Sequence, residues 1–85
     1  MTSDELDAEV RNVLATHGKL VVDVNSLDAD ADTYRAGMTS HASVNVMLAL
    51  EDAFDVEFPE RMLNKRTFAS IAAIKAAVAE LTGAP

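Results

Sequence analysis

Cysteine is absent from the chain, and this absence removes several chemistries at once. Without a thiol there is no disulfide, no CxxC redox motif, no zinc–thiolate site and no cysteine nucleophile. The chain has 85 residues, which is enough for one domain with a thin core. We therefore expect a single domain over residues 1–85 that is stabilised by the packing of a few amphipathic elements.

Long apolar runs are also missing, although 49% of the residues are hydrophobic. Polar or charged residues interrupt every apolar stretch before it could span a bilayer. The segment from Met1 to Glu5 is acidic and polar, unlike a secretory signal. These features predict a cytoplasmic protein that does not insert into a membrane.

Basic residues are scarce, since seven Lys and Arg stand against fourteen Asp and Glu. The net charge of −7 disfavours the phosphate backbone, so no nucleic-acid partner is expected. Partners with basic surfaces suit such a chain better, because opposite charges steer their encounter. Charge of this size also serves simply to keep a small protein soluble, so it identifies no function by itself.

Apolar residues at helical spacing predict a first helix from about Thr2 to His17. Thr2 and Glu5 fit a capping box at its start, and Gly18 supplies its stop. The following residues, 19–38, contain one strand-like run and no second run to pair with it. We therefore predict an irregular loop whose apolar side chains fill the core.

A second helix is predicted from Ser40 to Phe54, with Thr39 or Ser40 as its cap. Three apolar residues share one of its faces, namely Val44, Met47 and Leu48, and Leu50 and Phe54 adjoin that face. Asp55 ends this pattern, and Pro59 suits the start of a short helix that reaches Leu63.

The last helix is predicted to begin near Thr67 and to end at Gly83 and Pro85. Ser70 opens this helix or lies within it, in a structural role. The fold class is therefore all-α: a small bundle of three main helices plus one short helix, with a long loop after the first helix.

Metal and hydrolase sites find little support in the sequence. Residues 28–32 alternate Asp as a calcium loop does, but Thr33 and Thr39 replace the glycine and the bidentate glutamate of that motif. His17 and His41 lack a second ligand at helical spacing, so no metal site is expected. Ser40 and His41 do not form a catalytic pair, because adjacent helical residues point about 100° apart.

A hydroxyl at the start of the second helix is the remaining candidate. Gly37 permits a tight turn, and Ser40 follows where a helix begins. A phosphodiester on Ser40 would lie in the favourable field of the helix N-terminus. The same pattern also fits a serine or threonine that only caps the helix, so spacing leaves both interpretations open.

Residues 37–44, Gly-Met-Thr-Ser-His-Ala-Ser-Val, resemble the attachment motif of acyl carrier proteins, typically Gly-x-Asp-Ser-Leu. Residues 48–59 resemble the second helix of that family and the turn after it, and the order of helices agrees. The resemblance implies that a phosphopantetheinyl transferase moves 4′-phosphopantetheine from coenzyme A onto Ser40. The thiol of this arm would hold cargo as a thioester, and the protein would be a monomeric carrier and not an enzyme.

Two residues of the motif depart from the family pattern. Thr39 replaces the usual Asp and His41 the usual Leu, which implies a dedicated or tolerant transferase. The second helix also has no acid among residues 40–49, unlike carriers of fatty acid synthesis. These departures indicate a specialised carrier, because charge patterns set the choice of partner.

Ser43 and Val44 in the second helix and the segments 54–59 and 63–71 are similar to bacterial aminoacyl carrier proteins. That subgroup implies loading with a small amino acid by a ligase similar to seryl-tRNA synthetase catalytic domains, followed by transfer to acyltransferases. A carrier for fatty acid, lipid or secondary metabolism, loaded by an acyl ligase, remains an alternative. An unmodified helical interaction module is a second alternative, of another class.

The resemblance also implies further site residues. The motif flanking Ser40 consists of Gly37, Thr39 and His41, and Ser43 is a competing attachment site. The predicted partner surface consists of Val44, Asn45, Glu51, Asp52, Arg61, Lys65 and Arg66. The residues expected near a cargo crevice are Met47, Leu50, Phe54, Phe68, Ile71 and Ile74.

Overall fold

The computed structural model describes residues 2–83 and has three α-helices. They are α1 (Ser3–His17), α2 (Ser40–Phe54) and α3 (Ile71–Thr82). Three short 3-10 turns accompany them, at Val24–Ser26, Glu60–Met62 and Lys65–Phe68. Residues 2–83 contain no strand, which confirms the all-α class, and two 3-10 turns replace the one short helix predicted before α3. Pro85, predicted as a helix stop, lies outside the described residues.

The start of α1 is the predicted capping box. Thr2 Oγ1 accepts a hydrogen bond from the Glu5 N–H at 3.1 Å, and the Glu5 carboxylate accepts one from the Thr2 N–H at 3.1 Å. The helix ends at Gly18, where a Cβ would lie 2.7 Å from the Leu14 carbonyl oxygen. A side chain at Gly18 would thus collide with the helix, and the backbone leaves the helix at the next residue, Lys19, which takes the left-handed conformation with φ of 55°.

The long loop between α1 and α2 is held by hydrogen bonds to α1 and to α3. The guanidinium of Arg11 donates to the carbonyls of Val24 at 2.7 Å and Leu27 at 2.8 Å. At its other side, the Ala29 carbonyl accepts from the Ala72 N–H in the first turn of α3 at 2.9 Å. Partners outside the loop thus satisfy part of its irregular backbone, and hydrogen bonds within the loop satisfy a further part.

The expectation that the apolar side chains of the loop fill the core is only partly correct. Val24 and Met38 are buried, but Val21 is 82% exposed. Its N–H donates to the Ala36 carbonyl at 2.8 Å, so this part of the loop runs along residues 36 and 37 and not between the helices.

The face of α2 that enters the core includes Leu50, which adjoins the predicted apolar face, but neither Val44 nor Leu48. Ala42, Val46 and Leu50 repeat every four residues and are almost fully buried. Val44 and Leu48, from the predicted apolar face, are 49% and 52% exposed. Both stripes are apolar, so helical periodicity alone cannot decide which of them packs against the other helices.

The prediction that the last helix begins near Thr67 is wrong by about one turn. The carbonyls of Phe68 and Ala69 accept hydrogen bonds from the side chain and the backbone of Thr33. These two carbonyls are therefore occupied by Thr33 of the loop, and no helix begins there. Ser70 caps α3 instead, since its hydroxyl oxygen accepts from the Ala73 N–H at 3.0 Å. This contact confirms a structural role for Ser70.

Within residues 2–83, no helix has both the length and the apolar character needed to cross a bilayer.

Candidate attachment site and groove

The hydroxyl of Ser40 is exposed at the first residue of α2. Thr39 is the cap of this helix, because its Oγ1 accepts a hydrogen bond from the Ala42 N–H at 3.0 Å. Ser40 makes no side-chain hydrogen bond within residues 2–83. The two interpretations left open by the sequence are therefore divided between two residues: Thr39 caps, and the Ser40 hydroxyl remains available for modification.

Ser43, the competing attachment site, is placed differently. It is 9% exposed, and its hydroxyl donates to the Ser40 carbonyl oxygen at 2.7 Å. A nucleophilic hydroxyl must be reached by a partner enzyme, so this geometry favours Ser40. His41 is exposed beside Ser40, and His17 is exposed at the end of α1. Residues 2–83 hold no group of three or more His, Cys, Asp or Glu that could bind a metal ion.

Gly37 has a backbone that only glycine adopts easily, with φ of 119°. A Cβ at this position would lie 2.9 Å from the Val21 nitrogen and 3.2 Å from Val21 Cγ1. The next residue, Met38, is 2% exposed and anchors the chain in the core. Gly37 therefore lets the loop pack closely against itself directly before the exposed hydroxyl.

An open groove of about 360 Å³ begins at Ser40. It lies between α2 and the 3-10 turn before α3, and its lining is mostly apolar. The residues that line it are Tyr34, Ser40, Ser43, Val44, Met47, Leu63, Asn64, Lys65 and Phe68.

Only Met47 and Phe68 of the six predicted crevice residues line this groove. Three of the others have no exposed surface and belong to the core, namely Leu50, Ile71 and Ile74. Phe54 is partly buried against the core and does not line the groove either. The correction follows from the rotation of α2, which turns Leu50 inward and Val44 outward.

Tyr34 and Lys65, which both line the groove, contact each other. The Lys65 ammonium lies 4.8 Å from the centre of the Tyr34 ring, within the range of a cation–π interaction. Sequence reasoning missed Tyr34, Leu63 and Asn64 as groove residues. No local signal marks Tyr34, because the two segments meet only after the loop is fixed to the start of α3. Leu63, an exposed apolar residue after a 3-10 turn, carried a weak signal.

The residues predicted as a partner surface have different surroundings. Val44 and Lys65 line the groove at Ser40. Asn45 and Asp52 instead line a shallow cleft of about 510 Å³ between α1 and α2, together with Glu9.

The remaining residues of that set have other surroundings. Glu51 accepts a hydrogen bond from the Phe58 N–H at 2.9 Å and so fixes the turn after α2. Arg61 forms an exposed ion pair with Glu80 of α3. Arg66 is exposed on the 3-10 turn next to Lys65.

Comparison with known proteins agrees with this arrangement of helices. The family described as the phosphopantetheine attachment site matches residues 8–78. The aminoacyl carrier protein of Agrobacterium fabrum (strain C58 / ATCC 33970) is 47% identical over 70 residues, which cover 82% of this chain and 84% of that protein.

Solved structures are also similar to this chain. One matching chain comes from a crystal structure of an engineered Bradyrhizobium japonicum glycine:[carrier protein] ligase complexed with a carrier protein from Agrobacterium tumefaciens and ATP. The matching chain is 45% identical in sequence, with a TM-score of 0.86. The match covers 89% of this chain and 99% of that chain. A solution structure from Agrobacterium tumefaciens is 47% identical with a TM-score of 0.67, over 85% of this chain and 87% of that one.

The small all-α bundle, together with these matches, defines a carrier domain. The chain belongs to the phosphopantetheine-binding carrier protein family. Its prosthetic group is 4′-phosphopantetheine, and it holds cargo for other enzymes without being an enzyme itself.

Proposed function

We propose that Ser40 carries the phosphopantetheine arm and that the thiol of this arm presents a small amino acid, as a thioester, to partner enzymes. The observation that supports this most is the free, exposed hydroxyl of Ser40 at the rim of the groove. The similarity to the aminoacyl carrier protein of Agrobacterium fabrum supports an aminoacyl cargo for this chain as well.

The surroundings of Ser40 suit a phosphodiester. The N–H groups in the first turn of a helix lack intrahelical acceptors and favour an anion at that end. Thr39 satisfies only the Ala42 N–H, so those of Ser40 and His41 remain for the phosphate. The first turn of α2 contains no acidic side chain that would repel it.

Three kinds of partner enzyme follow from this function. A phosphopantetheinyl transferase attaches the arm, and it must accept Thr39 and His41 in place of the usual Asp and Leu. An aminoacyl ligase loads the thiol, and the complex between the similar Agrobacterium tumefaciens carrier protein and a glycine:[carrier protein] ligase supports this partner. Downstream acyltransferases would then take the amino acid from the arm.

A fatty acyl carrier is the second candidate, and one feature of the structure favours it. The groove beside Ser40 is lined largely by apolar side chains, including Val44, Met47 and Phe68. Such a lining suits an alkyl chain, whereas a small polar amino acid gains little from it. The two candidates therefore differ in which cargo the arm accepts.

The attachment is tested by intact-mass spectrometry after incubation with coenzyme A and a broad-specificity phosphopantetheinyl transferase. We expect one phosphopantetheine adduct on the wild type and on Ser43→Ala, and none on Ser40→Ala. An adduct that persists on Ser40→Ala would refute the site. An absence of any adduct, also with Thr39→Asp, would favour the unmodified interaction module.

The cargo is tested on the modified protein with the Bradyrhizobium japonicum glycine ligase, glycine and ATP, in parallel with an acyl ligase and a fatty acid. We expect the mass of a glycyl thioester that is removed by hydroxylamine. Loading by the fatty acid alone would select the second candidate.

A further inference from the structure

Charge is divided unevenly along this acidic chain. Residues 33–50 and 61–79 contain no Asp or Glu and hold five of the seven Lys and Arg. All fourteen acidic residues and the other two basic residues lie elsewhere. The two acid-free segments therefore carry a charge of +5, whereas the rest of the chain carries −12.

The fold brings the two acid-free segments together around the groove. All nine residues that line the groove, Ser40 among them, come from these segments. The contact between Tyr34 and Lys65 joins one segment to the other. By contrast, the cleft between α1 and α2 is lined by Glu9 and Asp52, and no basic residue lines it apart from His17. The lining of the groove at Ser40 thus contains no acidic residue and one basic residue, Lys65, in contrast to the cleft.

Three basic residues of the two acid-free segments are exposed and form no ion pair within residues 2–83. Arg61 and Lys75, from the same segments, form ion pairs with Glu80 and Asp7. Arg35, Lys65 and Arg66 form no ion pair within residues 2–83, and all three are exposed. We name these three residues the basic rim.

Exposed apolar side chains lie beside the basic rim. Val44 and Leu63 line the groove and are 49% and 51% exposed. An apolar centre with a charged border is the usual composition of a protein interface. Surface charges of one sign raise the association rate of a partner of the opposite sign and exclude like-charged ones.

We propose that the basic rim docks an acidic surface on the enzyme that loads the arm. This inference rests on the proposed function, since it names the surface that the loading ligase reads. The net charge of −7 would suggest a basic partner, but the local charge around Ser40 selects an acidic one. The acidic remainder of the chain repels that partner, and this repulsion orients the carrier so that Ser40 faces the loading enzyme.

The proposal is tested with the phosphopantetheine-bearing protein and the Bradyrhizobium japonicum glycine ligase as the probe. Lys65→Gln, Arg66→Gln and Arg35→Gln each remove one positive charge from the rim. Ala8→Glu, at an exposed position of α1 away from the groove, makes the same change in net charge and is the matched control. Each protein is assayed at saturating glycine and ATP to separate KM for the carrier from kcat.

We expect the rim variants to raise KM about three- to tenfold without changing kcat, because rim charges act on association. The difference in KM between the wild type and the rim variants should disappear as the salt concentration rises from about 0.05 to about 0.5 M, because the screening length then falls to a few ångströms. Ala8→Glu should leave KM within about twofold of the wild type. Equal effects of Ala8→Glu and the rim variants would show that only net charge matters and would overturn the proposal, as would rim variants without effect.

A second measurement keeps the test independent of the ligase and the arm. Hexaglutamate is titrated into the isotope-labelled unmodified protein at low salt, and amide shifts are followed by NMR. We expect the largest shifts at residues 33–41 and 63–68, with their loss in the triple variant of the rim. Shifts spread evenly over α1 and α2, or none, would overturn the proposal even if Ser40 carries the arm. Failure of the arm to attach would refute the proposed function and leave this result standing.

Discussion

Thr39 caps the helix whose first residue is Ser40, and the Ser40 hydroxyl is therefore not needed as the cap and stays free. The cap is the hydrogen bond from the Ala42 N–H to Thr39 Oγ1 at 3.0 Å. A serine that capped its own helix would have its oxygen occupied by a backbone N–H. The neighbouring threonine thus stabilises the helix end and keeps the proposed attachment oxygen accessible.

Thr39→Ala should lower the free energy of unfolding by about 1 kcal/mol, because an N-cap is lost. Thr39→Asp should keep or raise it, since a carboxylate also caps and interacts favourably with the helix N-terminus. Urea denaturation measures both. Ser40→Ala is the control and should change the free energy of unfolding by less than about 0.5 kcal/mol, as a surface substitution. Similar losses for Ser40→Ala and Thr39→Ala would contradict the assignment of the cap.

Glu51 and Asp52 are neighbours that were predicted together as partner-surface residues, and the structure separates their roles. Glu51 Oε2 accepts from the Phe58 N–H at 2.9 Å, whereas Asp52 is exposed. Glu51→Ala should lower the free energy of unfolding by about 1.5 kcal/mol, since a backbone N–H loses a charged acceptor. Glu51→Gln keeps an acceptor oxygen and should recover part of this loss. Asp52→Ala should lie within about 0.5 kcal/mol of the wild type, and a comparable loss for it would argue against a structural role specific to Glu51.

The bounds of α1 and α2 could be predicted because their signals are local. A capping box fixes one end of α1, and a threonine cap fixes the start of α2. The start of α3 could not be predicted, because Thr33 takes the carbonyls of Phe68 and Ala69 from a distant part of the chain. A helix signal in the sequence is overridden there by tertiary hydrogen bonds.

The candidate site was predictable to a similar extent. Ser40 follows from its motif, because the motif is contiguous in the sequence. The groove does not, since its composition depends on which of two apolar faces of α2 packs inward. Tyr34 and Lys65 are thirty-one residues apart, and only the path of the loop brings them into contact.

Thr33 is the buried link between the long loop and the start of α3. It has no exposed surface, and its hydroxyl donates to the Phe68 carbonyl. Thr33→Val keeps the shape but leaves that carbonyl without its donor, so the free energy of unfolding should fall by about 1–3 kcal/mol. Thr16→Val is the matched control, because Thr16 is exposed and its hydroxyl bonds the Asn12 carbonyl within α1. Chemical denaturation that gives the same loss for both variants would contradict a special role for Thr33.

Asp7 connects α1 to α3 and should make stability depend on pH. The hydrogen bond from Arg11 Nε at 2.8 Å lowers the pKa of Asp7 below its ordinary value of 3.8, and the Lys75 ammonium at 3.5 Å contributes. A carboxyl whose pKa is lower in the folded state stabilises that state above the unfolded pKa. This contribution is therefore complete near neutral pH and is lost as the pH falls below 3.8 and through the folded pKa.

Asp7→Asn should remove this contribution. Thermal unfolding of wild type and variant should therefore differ most near neutral pH and converge as the pH falls toward about 2. Glu5, whose pKa is lowered by the hydrogen bond with the backbone of Thr2, is present in both proteins and cancels in the comparison. A difference between wild type and Asp7→Asn that stays constant with pH would refute the role of its ion pairs.

Substitution of Gly37 should be poorly tolerated. Gly37→Ala would place a Cβ 2.9 Å from the backbone nitrogen of Val21, at φ of 119°. Gly83→Ala is the matched control, because φ is also positive there, at 72°, and a Cβ would meet nothing within 4 Å. The control should lower the free energy of unfolding by about 1–2 kcal/mol for the left-handed backbone alone.

Gly37→Ala adds a collision with backbone atoms to that strain, so its loss should be larger than that of the control. The displaced loop also leads directly to Ser40, so attachment of the arm should slow for Gly37→Ala and not for Gly83→Ala. Urea denaturation and the time course of the mass adduct measure the two effects. Equal losses of stability would show that the close approach of Val21 relaxes at little cost. An unchanged attachment rate would show that the transferase reads Ser40 independently of the loop before it.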